Sequence, residues 1–321
     1  MDFNALFKRK LSRKQFLKLL CSGASLLVAE NILAKAAIAL PEDSTGRIKK
    51  NIKGLYDLVC ASGDDPYNLT VKAIQAMGGM EKFVKPNSIV LIKPNIGWDR
   101  SPEQAANTNP DIVAALIDLC FQAQAKRVNI FDNCCNDPKR CYDNSGIQKI
   151  AKEHKANVFF PSPWNVAQAK FSYKSPMENW PVFREALECD TFINVPIMKH
   201  HRLTGLTLSM KNLMGICSGS RGNIHTDIGT KLADLTYFIN PDLTVIDAYR
   251  VLVRNGPVGG NLEDVRLMKK LIIGTEPALT DAYAATLLDQ DPMSIPYIAS
   301  SVNRNLGNAD LGQANILNLT V

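Results

Sequence analysis

Between residues 88 and 319, short apolar runs rich in β-branched residues alternate with longer stretches of helical periodicity. Few architectures accept that pattern. A strand covered on both faces reads as a continuous apolar run, and strands separated by helices pair in parallel. The runs at 88–92, 128–131, 157–160, 191–195, 243–246, 270–273 and 313–319 read as strands. Helical patterns at 108–125, 147–154, 183–188, 227–239, 281–288 and 295–303 fall between them, with Pro110 near one helix start and Thr280 placed as the N-cap of another. The proline-rich segment 161–181 reads as irregular structure. The expected fold class is α/β, a mostly parallel sheet with helices on both faces and a polar site at its strand ends. Residues 41–321 form one such domain on this reading, with two lobes meeting near 180–190 as the variant.

Composition removes other classes. At 46% hydrophobic residues the chain is too apolar for disorder, and 19 Gly with 17 Pro are too few for a collagen-like repeat. The net charge of +6 would suit an acidic partner if it were spread over the body. It is not. Residues 1–40 hold Lys8, Arg9, Lys10, Arg13, Lys14, Lys18 and Lys35 against Asp2 and Glu30, which leaves a nearly neutral remainder and no basic aromatic patch for nucleic acid.

That front segment has the three parts of an export signal: a basic stretch, an apolar run over 19–29, and a small-residue site at Ala37-Ile38-Ala39. The apolar run is too short for a stable transmembrane span. Ser12-Arg13-Lys14-Gln15-Phe16-Leu17-Lys18 resembles the twin-arginine signal, with Lys14 in the second arginine's place. The expectation is recognition by export machinery and a final location in the periplasm or at the outer face of the cytoplasmic membrane.

In open α/β sheets, ligands bind beyond the carboxyl ends of the strands. Here those ends lead into Lys93-Pro94-Asn95, Asp132-Asn133, the stretch from Pro196 to His201, and Asp247. Lys, Asn, Asp and His delivered to one sheet edge could bind an anion, ligate a metal or move a proton. Among the seven cysteines beyond the front segment, Cys134, Cys135 and Cys141 cluster, and they stand either as redox or metal-binding thiols or as ordinary loop thiols. Neither CxxC nor a ferredoxin run occurs, which disfavours an iron–sulfur cluster. Ser218–Gly222 lacks the phosphate-loop pattern and reads as a mobile loop beside the site.

The most informative stretch runs from Asn194 to Gly215, with Pro196-Ile197-Met198-Lys199-His200-His201 followed by Lys211-Asn212-Leu213-Met214-Gly215. With Lys93-Pro94-Asn95, Val245-Ile246-Asp247, Gly256-Pro257, Gly260, Asp281-Ala282, Leu306-Gly307 and Asp310, it resembles the DUF362 family over roughly residues 87–312. Some members of that family carry a ferredoxin-like segment and others an export leader, and the resemblance here is to the second kind. It implies a link to redox chemistry but no named reaction. Carried over by position, the motif's residues fall on Lys199, His201, Lys211 and Asn212, and His200 holds a variable place.

The expected site therefore has His201, Lys199 and Asp247 as catalytic groups and Lys93, Asn95, Lys211 and Asn212 as ligand-binding groups. A divalent metal is the open cofactor question, with His201, Asp132 and Asp247 as its candidate ligands. Two functions fit: an enzyme acting on a small anionic substrate, or a non-catalytic protein that holds a ligand or cofactor or serves in maturation.

Overall fold

The computed structural model describes residues 43–48 and 50–321, so segment 1–40, expected as an export signal, lies outside the described residues. Strands β1 (Asp43–Ser44), β2 (Leu58–Ser62), β3 (Ile89–Pro94), β4 (Arg127–Ile130) and β5 (Asn157–Val158) come first in the chain. They are followed by β6 (Val166–Ala169), β7 (Pro181–Phe183), β8 (Thr191–Val195), β9 (Ile197–His201) and β10 (Gly205–Thr207). The last three are β11 (Leu243–Leu252), β12 (Val265–Gly274) and β13 (Ile316–Thr320). The main sheet has the order β13-β2-β12-β11-β8-β3-β4-β5, with β9 added to β11 and β10 to β9. Along the eight-strand path only β12 opposes its neighbours. A mostly parallel sheet between helices is thus the observed fold.

Strand alternation sends successive side chains to opposite faces, and the core divides accordingly. Leu58, Cys60, Leu91, Phe192, Ile246 and Ile272 point into one apolar layer. Val59, Ala61, Val90, Ile92, Ile193, Val245 and Ile273 point into the other. Strands from both sides of residues 180–190 lie in the same sheet and share these layers. Residues 43–321 form one compact unit. Among the described residues, no helix is long and apolar enough to cross a membrane.

Local chemistry explains most element boundaries. The helix Pro110–Gln122 starts because Pro110 fits the first turn and the Asn109 side chain accepts from the Asp111 N–H at 2.9 Å. Its Ile112, Val113, Leu116 and Ile117 are buried against the sheet. Thr280 is not an N-cap. The helix runs Pro277–Thr286 with Glu276 as its cap, and Thr280 bonds to Pro277 O one turn inside. The segment 161–181 is not wholly irregular either, since β6 pairs antiparallel with β7 and parallel with β1 in a small separate sheet. The stretch beyond Pro196 is the antiparallel hairpin β9–β10 followed by the short helix Ser209–Asn212.

Candidate active site

The parallel strands β3, β8, β4 and β11 place their carboxyl ends along one edge. In β3 and β8, Lys93 pairs with Asn194 in register, which puts two polar side chains side by side where the strands end. The chain then passes Pro196 and re-forms as β9 beside the far half of β11. Within β9, Lys199 and His201 share a face by the two-residue period, and Thr207 of β10 stands opposite Lys199. His200 falls on the other face, where its Nδ1 accepts from the Gly256 N–H at 3.2 Å.

The deepest layer is a closed polar network. Lys93 is fully buried, and its ammonium lies 2.7 Å from Asp132 Oδ1. It also donates to Pro94 O at 2.8 Å and to Asn212 Oδ1 at 3.0 Å. Burial draws the Lys93 ammonium below its ordinary pKa, and the Asp132 carboxylate opposes that. Asp132 Oδ2 accepts the Ile96 N–H at 2.7 Å. Asn212 Oδ1 accepts from Asn95 Nδ2 at 3.1 Å, and Asn212 Nδ2 donates to Asn194 Oδ1 at 2.8 Å. The Ser209–Asn212 helix is anchored from below, where Asp281 accepts the N–H groups of Ser209 and Met210 at 2.8 and 3.0 Å. Gly215 is required by proximity: a Cβ there would lie 1.8 Å from Asp132 Oδ1 and 2.6 Å from Lys93 Nζ.

Above this network opens a cavity of about 380 Å³. Lys93, Asn95, Asp132, Lys199, His201, Lys211 and Asn212 line it, joined by Thr207, Cys134, Cys135, Arg221 and His225. Lys199 Nζ donates to Asn95 Oδ1 at 3.2 Å and to Ala106 O, and burial brings its pKa down to about 7. Lys211 is buried with Met214 Sδ at 3.3 Å from its ammonium, and burial lowers it to about 8. Arg221 donates to the carbonyls of Asn133 and Cys134 and to Cys135 Sγ, the last at 3.3 Å. Among the described residues, Lys199, Lys211 and Arg221 have no carboxylate within ion-pair distance.

His201 has a defined protonation state. Its Nδ1 accepts from the N–H groups of Leu203 and Thr204 at 3.2 and 3.3 Å, which leaves the ring proton on Nε2. Burial, with Lys211 and His225 adding repulsion, lowers its pKa to about 3. With Nδ1 occupied in this way, His201 presents Nε2–H as a neutral hydrogen-bond donor. The His225 ring stacks on it with centroids 6.1 Å apart.

The structure brings six of the seven expected site residues together and separates the seventh. Asp247 does not line the cavity; its buried carboxylate accepts the N–H groups of Asn109 and Tyr249 at 2.8 and 3.0 Å. Burial raises its pKa to about 6. It fixes the start of the Pro110–Gln122 helix to β11. Of the three metal candidates, His201 and Asp132 line the cavity and Asp247 does not. Asp247 is spent on backbone, Asp132 on Lys93 and His201 Nδ1 on its own turn, and no group of three or more His, Cys, Asp or Glu suited to a metal occurs among the described residues.

Sequence reasoning overlooked Arg221, His225 and Thr207. Residues 218–220 are a loop, and Arg221 begins the 3-10 segment Arg221–Asp227 with its side chain lining the cavity. Alternation across the β9–β10 hairpin could have found Thr207. Of the cysteine cluster, Cys134 and Cys135 line the cavity while Cys141 is buried behind it, and all three are free thiols.

Comparison with known proteins adds identity at the level of family. A thylakoid-associated protein of Synechocystis sp. is 26% identical over 235 residues, which cover 71% of each chain. Among solved structures, the lactate racemase apoprotein of Thermoanaerobacterium thermosaccharolyticum aligns with a TM-score of 0.43 at 11% identity, over 74% of this chain and 59% of the racemase. A Thermotoga maritima protein aligns with a TM-score of 0.39 at 12% identity, over 61% of this chain and 54% of its own. The model of the Domain of unknown function (DUF362) family matches residues 90–286, which include the strand-end network and the cavity, and the chain belongs to that family.

Proposed function

We propose that the protein is an enzyme acting on a small anionic substrate held in the strand-end cavity. The observation that carries this reading is the set of three cations at one cavity, Lys199, Lys211 and Arg221, left without carboxylate partners. Buried charge is costly unless compensated, and a carboxylate, sulfate or phosphate would compensate it. Lys211 and Arg221 bind the anion, and His201 donates from Nε2 to one of its oxygens. Lys199, brought to about 7 by burial, exchanges its proton near neutral pH and serves as the acid–base group. Lys93 and Asp132 hold the floor of the site and take no proton in the reaction.

The test separates binding from chemistry. Calorimetric titration with sulfate should show saturable binding that Lys211→Met weakens at least tenfold. Incubation in D2O with pyruvate, succinate and phosphoglycolate should give enzyme-dependent C–H exchange in at least one, abolished in Lys199→Met. Binding without exchange would leave a ligand-holding protein, and absence of sulfate binding would remove the anion site itself. The leader at 1–40 supports a proposal that the chain is exported, and a thylakoid-associated relative is compatible with a membrane-delimited location. Fractionation of cells producing the intact chain tests it: the protein should lie outside the cytoplasm, and retention in the cytoplasm would overturn it.

A further inference from the structure

Cys135 is the one exposed cysteine among the described residues, and it stands at the mouth of the cationic cavity. Its backbone is fixed by a 2.8 Å hydrogen bond from its N–H to Gly97 O. Its Sγ lies 3.3 Å from an Arg221 guanidinium nitrogen, and the same cavity holds the ammonium groups of Lys199 and Lys211. The neighbouring thiols differ: Cys141 and Cys217 are buried, and burial raises the pKa of Cys134 strongly. Reactive cysteines occupy partly exposed, electropositive settings, whereas buried ones are inert.

A second, independent observation points to a ligand in the same cavity. Thr207 is buried to 4% exposure and lines the cavity, yet its hydroxyl has no hydrogen-bond partner. Buried hydroxyls are seldom left unpaired, because the lost hydrogen bonds to water cost about 1–3 kcal/mol. An anion in this cavity would offer that partner.

We infer that Cys135 is a nucleophile toward small acids that carry an electrophilic carbon next to the anionic group, a step that rests on the anion-binding reading above. The thiol proton passes to solvent and the sulfur forms a bond to that carbon. The bond from carbon to the leaving group breaks, and the leaving group departs with the electron pair. Arg221 and Lys211 hold the anion and offset the negative charge as the sulfur approaches.

Two alkylating agents that differ in charge test this on the full chain. Iodoacetate carries the carboxylate and iodoacetamide does not, and both lose iodide to a thiol. Labelling followed by intact mass and peptide mapping gives their rate ratio at Cys135, with glutathione as the reference thiol. The expected ratio of iodoacetate to iodoacetamide is at least tenfold above that of glutathione. Sulfate should slow the iodoacetate reaction, and Lys211→Met, checked for folding by circular dichroism, should return the ratio to the glutathione value. Arg221→Gln serves as a second variant with the same expectation. A ratio equal to that of glutathione, or labelling at Cys134 instead, would overturn the assignment. If sulfate binds by calorimetry while the ratio stays at the glutathione value, the nucleophile fails and the anion site stands. If sulfate does not bind and the ratio is unchanged, both fall.

Discussion

The strand-end edge holds two layers built from the same residue types, and they end in opposite states. In the lower layer Lys93 meets Asp132, Asn212 and the carbonyl of Pro94, so a buried ammonium is matched by acceptors within the protein. In the upper layer Lys211 meets a thioether, and Lys199 and Arg221 meet carbonyls and neutral side chains. Burial alone does not mark a lysine as functional. The difference lies in whether the fold supplies the counter-charge. Where it does, the group holds structure together; where it does not, the balance is left to a ligand.

The most severe way to break the comparison is to make the lower layer resemble the upper one. Asp132→Asn keeps the shape but leaves Lys93 buried without its carboxylate, and removing one partner of such a pair costs about 3–5 kcal/mol. Urea unfolding should show a loss of that size; a loss below about 1 kcal/mol would mean that the pair is not what holds the floor. Gly215→Ala should cost somewhat less, about 1–3 kcal/mol, because a Cβ would press on both members of the pair. A neutral result would show that the close approach is relaxed in solution.

Smaller effects separate acids that look alike in sequence. Asp247→Asn should lose about 0.5–2 kcal/mol, the scale of a helix-start contact, while sulfate affinity stays unchanged. A tenfold fall in affinity would return Asp247 to the site. Smallest in stability is Lys211→Met, expected within about 0.5 kcal/mol of the parent because a charge without a carboxylate is exchanged for an apolar side chain. A loss above about 2 kcal/mol would show that Lys211 has a structural partner.

The fold was largely legible because periodicity reports burial. Strands such as Thr191–Val195 are buried on both faces and read as continuous apolar runs. The segment Leu58–Ser62 has the same length and is buried except at Ser62, but Leu-Val-Cys-Ala-Ser holds one β-branched residue and does not read as a strand. Of the site, Lys93, Asn95, Lys199, His201, Lys211 and Asn212 could be read from strand ends and the DUF362 motif. Asp247 was misplaced because an acid after a strand has the same appearance whether it faces a cavity or a helix start. Arg221 lies only six residues beyond Gly215, but a cation at the end of a loop has the same appearance whether it faces solvent or a cavity.

Buried lysines awaiting a counter-ion must respond to pH. Lys199 and Lys211, lowered to about 7 and 8, bind fewer protons in the folded chain than when unfolded between those values and their ordinary range. Without an anion, their contribution to stability therefore rises as pH increases from about 7. An anion reverses this, because it favours the protonated forms. Sulfate keeps its charge throughout, so its affinity should be highest at pH 6 and fall at least tenfold by pH 9, as followed by calorimetric titration. An affinity that does not change between these pH values would contradict the account.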